Sequence, residues 1–257
     1  MADIIIERKD GIAEVKFNRP EVRNALTFEM YEAVYDLCIE ANESGEIKAI
    51  IFAGVDSSAF ASGTDISLLE GIKDGKGGIE YEERIERVVG TVERCRVPTI
   101  AAIAGACTGG GAALATACDL RIAAKNMRFG YPMAKTLSNC LSLPNSARLI
   151  FLIGPGRFKE LLLTTRLMGA EEAYATGLIS EVVEPLDVLA RAHELAVRIA
   201  QNAPLTTWAA KEAVRRLHEQ VQSADFNDVI QKCYQSEDFR LGVEGFIKKQ
   251  TPKWTGR

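Results

Sequence analysis

The chain has 257 residues, of which 47% are hydrophobic, and it can therefore bury the core of one large domain or of a domain with an appendage. Its formal net charge is -4 with both signs interspersed, which excludes a broad basic surface for nucleic acid. The longest apolar runs, such as residues 99–104, are too short to span a membrane. Residues 1–4 lack the pattern of a secretory signal peptide, so we expect a cytoplasmic protein.

The cysteine and histidine pattern argues against a metal site. There are six cysteines and two histidines, with no CxxC pair, and His193 and His218 lie far in sequence from any cysteine. We therefore expect reduced thiols, no metal and no separate cofactor.

Strand and helix patterns alternate through the first two thirds of the chain. Short apolar or alternating runs predict strands at residues 4–7, 12–17, 48–53, 99–104, 119–123 and 179–183. Helical spacing predicts helices after a cap at Thr27 and at residues 81–95, 112–117, 148–153, 158–165 and 170–176. Residues 70–83 are glycine-rich and charged, which predicts either a mobile segment over a site or a plain solvated loop.

After Pro185 the pattern becomes almost wholly helical. Predicted helices cover residues 186–200, 205–220, 226–234 and 239–248, the last with a cap at residues 236–238. An α/β core at residues 1–185 followed by a helical region at residues 186–257 is the predicted organisation.

Two predicted strands end in turns of small residues. Residues 99–104 lead into Gly105 to Gly111, and residues 48–54 lead towards residues 58–66. The glycine spacing fits neither GxGxxG nor GxxxxGK[ST], and no lysine follows, so a phosphate loop is poorly supported. The two turns could each point one backbone N–H at a shared oxygen, as a thioester oxygen that gains negative charge requires. The alternative is that both turns are glycine-rich for packing alone.

Motifs along nearly the whole chain resemble the crotonase (enoyl-CoA hydratase/isomerase) superfamily. The resemblance is carried by Asn18-Arg19-Pro20, Asn24-Ala25-Leu26, AFASGTDI, PTIAAIAGACTGGGAAL, CDLRIA and GPGRFKELLLTTRLMGAEEAYATGLISEVV. It implies a spiral of ββα units, an acyl-CoA substrate, and C-terminal helices that support a homotrimer or a dimer of trimers. It also implies an oxyanion hole formed by the amides of Thr64 and Gly110.

The resemblance further implies a binding surface for coenzyme A, which enters only as part of the substrate. The positions carried over are Ala25, Ala61, Ser62, Gly63, Asp65, Ile66, Gly109, Ala113, Met133 and Lys249. Asp65 is also a candidate turn and capping residue. Lys249 belongs to a small basic tail, for which a solvated terminus is an equal alternative.

Hydratases of this family use two glutamates, and neither is present at the matching positions. The first falls on Ala113 and the second on Met133, or on Ala134 if the later motif is aligned through Arg148. None of these side chains can transfer a proton, so the standard hydration and isomerisation mechanisms are in doubt.

Several polar residues are candidates to replace the missing glutamates. Tyr131 or Asn139 could orient a substrate carboxylate or a water molecule, and Lys135 could bind an anion or lie in solvent. Cys140 is a candidate nucleophile, although a structural thiol is the better interpretation. Asp119 and Arg121 are expected to form a structural ion pair. Candidate replacement carboxylates are Asp65, Glu70, Asp74, Glu80, Glu82 and Glu83.

Three functions are compatible with these residues. The first is a hydratase/isomerase-like enzyme that stabilises a thioester enolate. The second keeps the enolate but catalyses decarboxylation, which needs no protein base, or thioester hydrolysis. The third is an acyl-CoA-binding protein without catalytic activity.

Overall fold

A computed structural model describes residues 2–222 and 225–256 as a mixed α/β structure. Its strands are β1 (Ile4–Lys9), β2 (Ile12–Phe17), β3 (Ala49–Gly54), β4 (Ala59–Ala61), β5 (Thr99–Ile103), β6 (Ala106–Thr108), β7 (Leu120–Ala124), β8 (Arg128–Gly130), β9 (Met168–Gly169) and β10 (Glu181–Val183). Its helices are α1 (Phe28–Ser44), α2 (Gly75–Arg94), α3 (Gly110–Ala117), α4 (Met133–Thr136), α5 (Leu143–Thr164), α6 (Ala170–Ala175), α7 (Val188–Ala200), α8 (Pro204–Gln222), α9 (Asn227–Tyr234) and α10 (Glu237–Ile247).

A six-stranded sheet forms the centre of the fold, in the order β1-β2-β3-β5-β7-β10. Only β1 and β2 pair antiparallel, and the other neighbours are parallel. The central strands β3 and β5 are buried apolar runs because both faces of the sheet are covered there. Helix α7 packs Val188, Ala192 and Ala196 on one face, and the main core with α1, α2 and α3 lies on the other.

A second sheet of four short strands, in the order β4-β6-β8-β9, carries the two turns. The sequence patterns did not reveal it because its strands are only two or three residues long. The prediction of one tight glycine turn at residues 105–111 is therefore wrong, since β6 lies between Gly105 and Gly109. Gly105 has a φ of +60°, and a Cβ there would lie 1.8 Å from Ser58 O, so this position requires glycine.

Of two helical segments, one differs from the sequence prediction and the other agrees with it. Helix α2 begins at Gly75, where the Asp74 side chain accepts a hydrogen bond from Gly77 N at 2.8 Å. Residues 70–83, predicted as a mobile segment or a solvated loop, are thus helical from Gly75 onwards. Packing against α9 supports this helix, since a Cβ at Gly75 or Gly78 would lie within 3 Å of Gln231 or Tyr234. The predicted break between the helices at residues 148–153 and 158–165 is confirmed, because Gly154 has a non-helical φ of 76° and ψ of 159° and divides α5 into two helical segments.

The C-terminal helices pack against several parts of the chain, and α8 does so through Lys211 and His218. Helix α7 covers the large sheet, whereas α9 and α10 place Tyr234, Phe239 and Val243 against Leu69. The predicted cap of the last helix is confirmed, since Ser236 Oγ accepts a hydrogen bond from Phe239 N. The division at residue 185 stays a prediction, and Met1, Ser223, Ala224 and Arg257 lie outside the described residues.

No helix within residues 2–222 and 225–256 is both long and apolar enough to cross a bilayer.

The predicted ion pair between Asp119 and Arg121 is wrong. The Asp119 carboxylate accepts hydrogen bonds from Thr99 N and Oγ1 and pairs with Lys211. The Arg121 guanidinium instead donates to backbone carbonyls, including that of Leu178 at 2.7 Å. Residues two apart in a strand point to the same face. Asp119, however, lies just before β7, which begins at Leu120, so residues 119 and 121 meet different neighbours.

Arg148 is the most deeply buried charged group and joins α5 to α2. Its side chain is 1% exposed and binds Glu86 at 2.5 Å and Glu93 at 2.8 Å. Glu93 also contacts His218 of α8 at 2.9 Å. Burial alone would raise the pKa of Glu93, but Arg148 and His218 outweigh it and hold that pKa below its ordinary value. The cluster therefore ties three helices together through charge pairing.

We expect Arg148→Met to destabilise the protein by about 3–5 kcal/mol, because it leaves two carboxylates without their buried partner. Urea unfolding at fixed protein concentration measures the change. The control is Arg8→Met, which removes an exposed pair with Glu40 and should cost at most about 1 kcal/mol. Equal losses for the two variants would contradict this account.

Candidate active site

The first turn of the site follows β4 and presents the amide of Thr64. Gly63 has a φ of 118°, which reverses the chain between Ser62 and Thr64. Leu26 N donates to Gly63 O at 2.8 Å, and Asp65 N donates to Leu26 O at 2.9 Å. These two bonds hold the chain on both sides of Thr64, so its own amide is left between them in a fixed orientation.

The second turn follows β6 and leads into α3. Gly109 has a φ of 51° and donates its amide to Gly130 O at 3.1 Å. Gly110 then starts the helix, where a residue's amide has no acceptor within the helix. The turns are joined directly, since Thr108 Oγ1 donates to Ser62 O at 2.9 Å.

The two turns approach closely enough to bring their free amides together. A Cβ built on Gly110 would lie 3.4 Å from Thr64 N and 2.1 Å from Tyr31 Oη. Among the turn and cap bonds that the described residues form, the amides of Thr64 and Gly110 are not donors. Two amides that donate in none of these bonds thus lie on adjoining turns.

Two tyrosines hold the side chain of Thr64. Tyr31 of α1 shares a hydrogen bond of 2.9 Å with Thr64 Oγ1, and Tyr81 of α2 donates to the same oxygen at 3.1 Å. Burial raises the pKa of both tyrosines, so their hydroxyls stay protonated and able to donate. The position of the first turn is therefore coupled to both helices.

A cavity of about 170 Å³ lies beside the two turns. It brings together nine of the residues predicted for the site, namely Ser62, Gly63, Thr64, Ile66, Gly109, Gly110, Ala113, Met133 and Asn139. The side chains at positions 113 and 133 thus line the cavity, and both are apolar. Its further walls include Leu69, Ile85, Leu137, Leu141 and Phe246.

Four predicted binding residues do not line this cavity. Ala61 is buried in β4, and its carbonyl would lie 2.3 Å from a Cβ at Gly111. Ala25 and Asp65 are joined by Arg19, whose Nη1 atom donates to Ala25 O at 2.7 Å and to Asp65 Oδ2 at 2.9 Å. Lys249 is exposed just beyond the end of α10.

Asp65 acts as the capping residue that its sequence position indicated. Its side chain accepts a hydrogen bond from Ser67 N at 3.1 Å at the start of the short 3-10 helix Ile66–Leu69. Burial opposes ionisation of Asp65, but Arg19 and Ser67 hold its pKa below the ordinary value. A carboxylate engaged in this way is a structural anion rather than a proton-transfer group.

Tyr131 lies in the core and not at the cavity. Its side chain is fully buried, and its ring meets that of Phe129 edge to face at 5.9 Å between centroids. The sequence placed it in a polar stretch, but alternation after β8 directs it inward with the core residues. The structure therefore gives no support to Tyr131 as a group that orients substrate or water.

Asn139 and Cys140 do line the cavity. Asn139 Nδ2 donates to Tyr234 Oη at 3.3 Å, which connects the wall of the cavity to α9. Cys140 contacts Cys233, and this contact together with burial raises the pKa of the Cys140 thiol. A raised pKa lowers the thiolate fraction, so the structure favours the structural interpretation of Cys140 over a nucleophile.

Glu82 of α2 is the carboxylic acid that reaches the cavity. It is 8% exposed, and its Oε1 atom accepts a hydrogen bond from Tyr234 Oη at 2.5 Å. Burial raises the pKa of Glu82 to about 7, although hydrogen bonds from Tyr234 and Ser142 oppose the shift.

The sequence patterns did not separate Glu82 from the other candidate carboxylates, because it lies where the predicted segment at residues 70–83 overlaps the predicted helix at residues 81–95, and its helical face was not identified. A helix from Gly75 gives the missing signal, since Gly78, Glu82, Ile85 and Val89 then share its buried face. The other candidate carboxylates on or before this helix are exposed, namely Glu70, Asp74, Glu80 and Glu83. Lys135 is also exposed. Within the described ranges, no group of three or more potential metal ligands converges.

Comparison with known proteins extends over the whole chain. The enoyl-CoA hydratase/isomerase family model matches residues 7–257. The short-chain-enoyl-CoA hydratase of Clostridium acetobutylicum is 32% identical, covering 96% of this chain and 95% of its own. A probable enoyl-CoA hydratase of Mycobacterium bovis is 34% identical, covering 99% and 98%.

Solved structures give the same result for the fold. An enoyl-CoA hydratase/carnithine racemase of Magnetospirillum magneticum has a TM-score of 0.80 at 32% identity, covering 100% of this chain and 97% of its own. A methylmalonyl-CoA decarboxylase in complex with 2-nitronate-propionyl-CoA has a TM-score of 0.89 at 25% identity, covering 100% and 99%. The crotonase-like α/β fold with a helical C-terminal region is confirmed, and the chain belongs to the enoyl-CoA hydratase/isomerase family.

Proposed function

We propose that this protein is an acyl-CoA enzyme of the hydratase/isomerase type, which stabilises a thioester enolate with the amides of Thr64 and Gly110. The observation that carries the proposal is the close approach of the two turns, with a Cβ at Gly110 only 3.4 Å from Thr64 N. Preorganised amide donors on two adjoining turns stabilise the negative charge that a thioester oxygen gains. The apolar walls of the adjoining cavity strengthen that interaction by excluding water.

The proposed substrate is an acyl-CoA thioester, with coenzyme A as part of it and no separate cofactor. The family supports this class, since the relatives from C. acetobutylicum and M. bovis are named as enoyl-CoA hydratases. The decarboxylase of known structure carries a CoA ester analogue. No cation is among the described residues that line the cavity, so basic groups outside it, such as Arg19 and Lys249, would have to meet the phosphates.

The proposed binding surface for the thioester and pantetheine follows the cavity wall. Ser62, Gly63, Ile66, Gly109, Ala113 and Met133 line it. Ala25, Ala61 and Asp65 remain part of the proposal because they hold the first turn in place. Arg19 joins Ala25 to Asp65, and Ala61 lies in close contact with Gly111. The lack of a carboxylate at positions 113 and 133 does not weaken binding, because apolar side chains suit an acyl chain.

Decarboxylation is the second candidate reaction. It is favoured by the apolar side chains at positions 113 and 133 and by the TM-score of 0.89 to a methylmalonyl-CoA decarboxylase. Loss of CO2 generates the enolate without removal of a proton, so the oxyanion hole alone would serve it.

We also propose a homotrimer or a dimer of trimers. Its support is the family together with apolar side chains exposed on α8, of which Leu217 is 62% and Val214 is 54% exposed. The cytoplasmic location expected from the sequence stays a prediction.

Crotonyl-CoA should be turned over by the purified protein, and Gly110→Ala should lower kcat by about 100-fold, because the new Cβ clashes with Tyr31 and displaces one amide donor. Loss of the conjugated thioester absorbance measures the rate. Gly71→Ala is the matched control, since nothing lies within 4 Å of its Cβ, and it should match the wild type. Equal rates for the two variants would remove the proposed oxyanion hole.

Malonyl-type CoA esters distinguish the two candidate reactions. For a hydratase/isomerase-like enzyme we expect no CO2 from methylmalonyl-CoA, together with turnover of crotonyl-CoA. Labelled CO2 release without crotonyl-CoA turnover would instead establish the decarboxylase.

Sedimentation velocity measures the oligomeric state. The wild type should sediment as a trimer or hexamer, and Val214→Asp with Leu217→Asp should shift it towards the monomer by placing charge on an apolar contact. A wild-type monomer at all concentrations would exclude the proposed assembly.

A further inference from the structure

The cavity beside the two turns contains one carboxylic acid among the described residues that line it. That residue is Glu82, which comes from α2 rather than from either position where the family's hydratases carry glutamates. Ala113 and Met133 face the same cavity and leave space beside the turns. A proton-transfer group for this site must therefore come from another wall.

Helix α2 connects Glu82 physically to the proposed oxyanion hole. The preceding residue, Tyr81, donates its hydroxyl hydrogen to Thr64 Oγ1 at 3.1 Å. One turn further along the helix, Ile85 also lines the cavity. Because the helix backbone is rigid over such a short span, the position of the Glu82 carboxyl group is fixed relative to the first turn.

Tyr234 and Asn139 orient the Glu82 carboxyl group. Tyr234 Oη donates to Glu82 Oε1 at 2.5 Å, and Asn139 Nδ2 donates to Tyr234 Oη at 3.3 Å. The Tyr234 oxygen thus accepts from Asn139, and the hydroxyl hydrogen of Tyr234 points to the Glu82 carboxylate. A carboxylate has about four lone-pair sites, so acceptor capacity remains for a substrate hydrogen.

The surroundings of Glu82 allow both protonation states near neutral pH. Within the described residues it forms no ion pair, and Arg148 is engaged with Glu86 and Glu93. Burial among apolar groups raises its pKa to about 7, the range in which a general acid/base works best. The other titratable groups near it are Tyr31 on α1, Tyr81, Glu83 and Glu86 on α2, Tyr234 on α9, Cys140, and Asp225 across a second cavity.

We propose that Glu82 is the general acid/base of this site and transfers the proton at C2 of the acyl-CoA thioester, with Tyr234 as its positioning residue. The inference rests on the proposed function. The carboxylate takes the proton from C2, and the electron pair of the broken C–H bond forms the enolate at the oxyanion hole. Return of the proton from the carboxylic acid to C2 restores the thioester, so atoms and electrons balance without another reactant.

Hydrogen exchange at C2 of butyryl-CoA in D2O tests the proposal without any net reaction. In the wild type, the carboxylic acid exchanges its proton with solvent and returns deuterium, which mass spectrometry detects. Glu82→Gln should lower the exchange rate by at least about 100-fold. Calorimetry should show unchanged binding of butyryl-CoA, because the amide is nearly the same size as the acid. The matched control is Glu80→Gln on the same helix, which is exposed and should exchange like the wild type.

The pH profile distinguishes proton transfer from a structural role. Exchange by the wild type should rise with pH through about 7 as Glu82 ionises, and this limb should be absent in Glu82→Gln. Tyr234→Phe removes a hydrogen bond that lowers the pKa of Glu82. In this variant the rise of the exchange rate should therefore occur at higher pH, while butyryl-CoA still binds. A merely structural tyrosine would change the binding without moving the limb.

The outcomes separate this inference from the proposed function. If butyryl-CoA binds but the wild type exchanges no C2 hydrogen, or if Glu82→Gln exchanges at the wild-type rate, Glu82 is not the acid/base. If the wild type neither binds butyryl-CoA nor turns over crotonyl-CoA, the proposed function itself fails, and the role of Glu82 fails with it.

Discussion

Two turns approach each other in this protein so closely that no side chain fits at Gly110, where the second turn meets the first. Thr108 Oγ1 joins them through Ser62 O, and a Cβ at Gly110 would meet both Tyr31 and Thr64. The small second sheet exists to hold this approach, since β4 and β6 each end at one of the turns. Gly110 is thus a steric requirement of the site, whereas Gly63 and Gly109 are required by their positive φ.

The parts of the fold with a strong local pattern could be predicted from the sequence. Strands such as β3 and β5 are continuous apolar runs, and the caps at Thr27 and Ser236 use side chains that accept helix amides. The second sheet could not be predicted, because strands of two or three residues carry no measurable periodicity. Its stability comes from pairing with distant segments.

The site was partly predictable for a similar reason. Backbone groups in the turns follow from glycine positions and from the family motifs, so Thr64 and Gly110 could be placed in advance. Glu82 could not be chosen among its neighbours, because its importance arises from burial by α9, far away in sequence. Tyr131 illustrates the opposite error, in which a polar neighbourhood in the sequence concealed a core position.

The C-terminal helices complete the cavity that the earlier part of the chain begins. Tyr234 and Phe246 both come from the final stretch of the chain, whereas the turns that hold the amides lie before residue 111. During synthesis on the ribosome, the residues of both turns are therefore made well before the helices α9 and α10 that complete the cavity. A nascent chain would be able to form the backbone donors while Glu82 is still open to water, and the pKa of Glu82 would rise only when α9 docks.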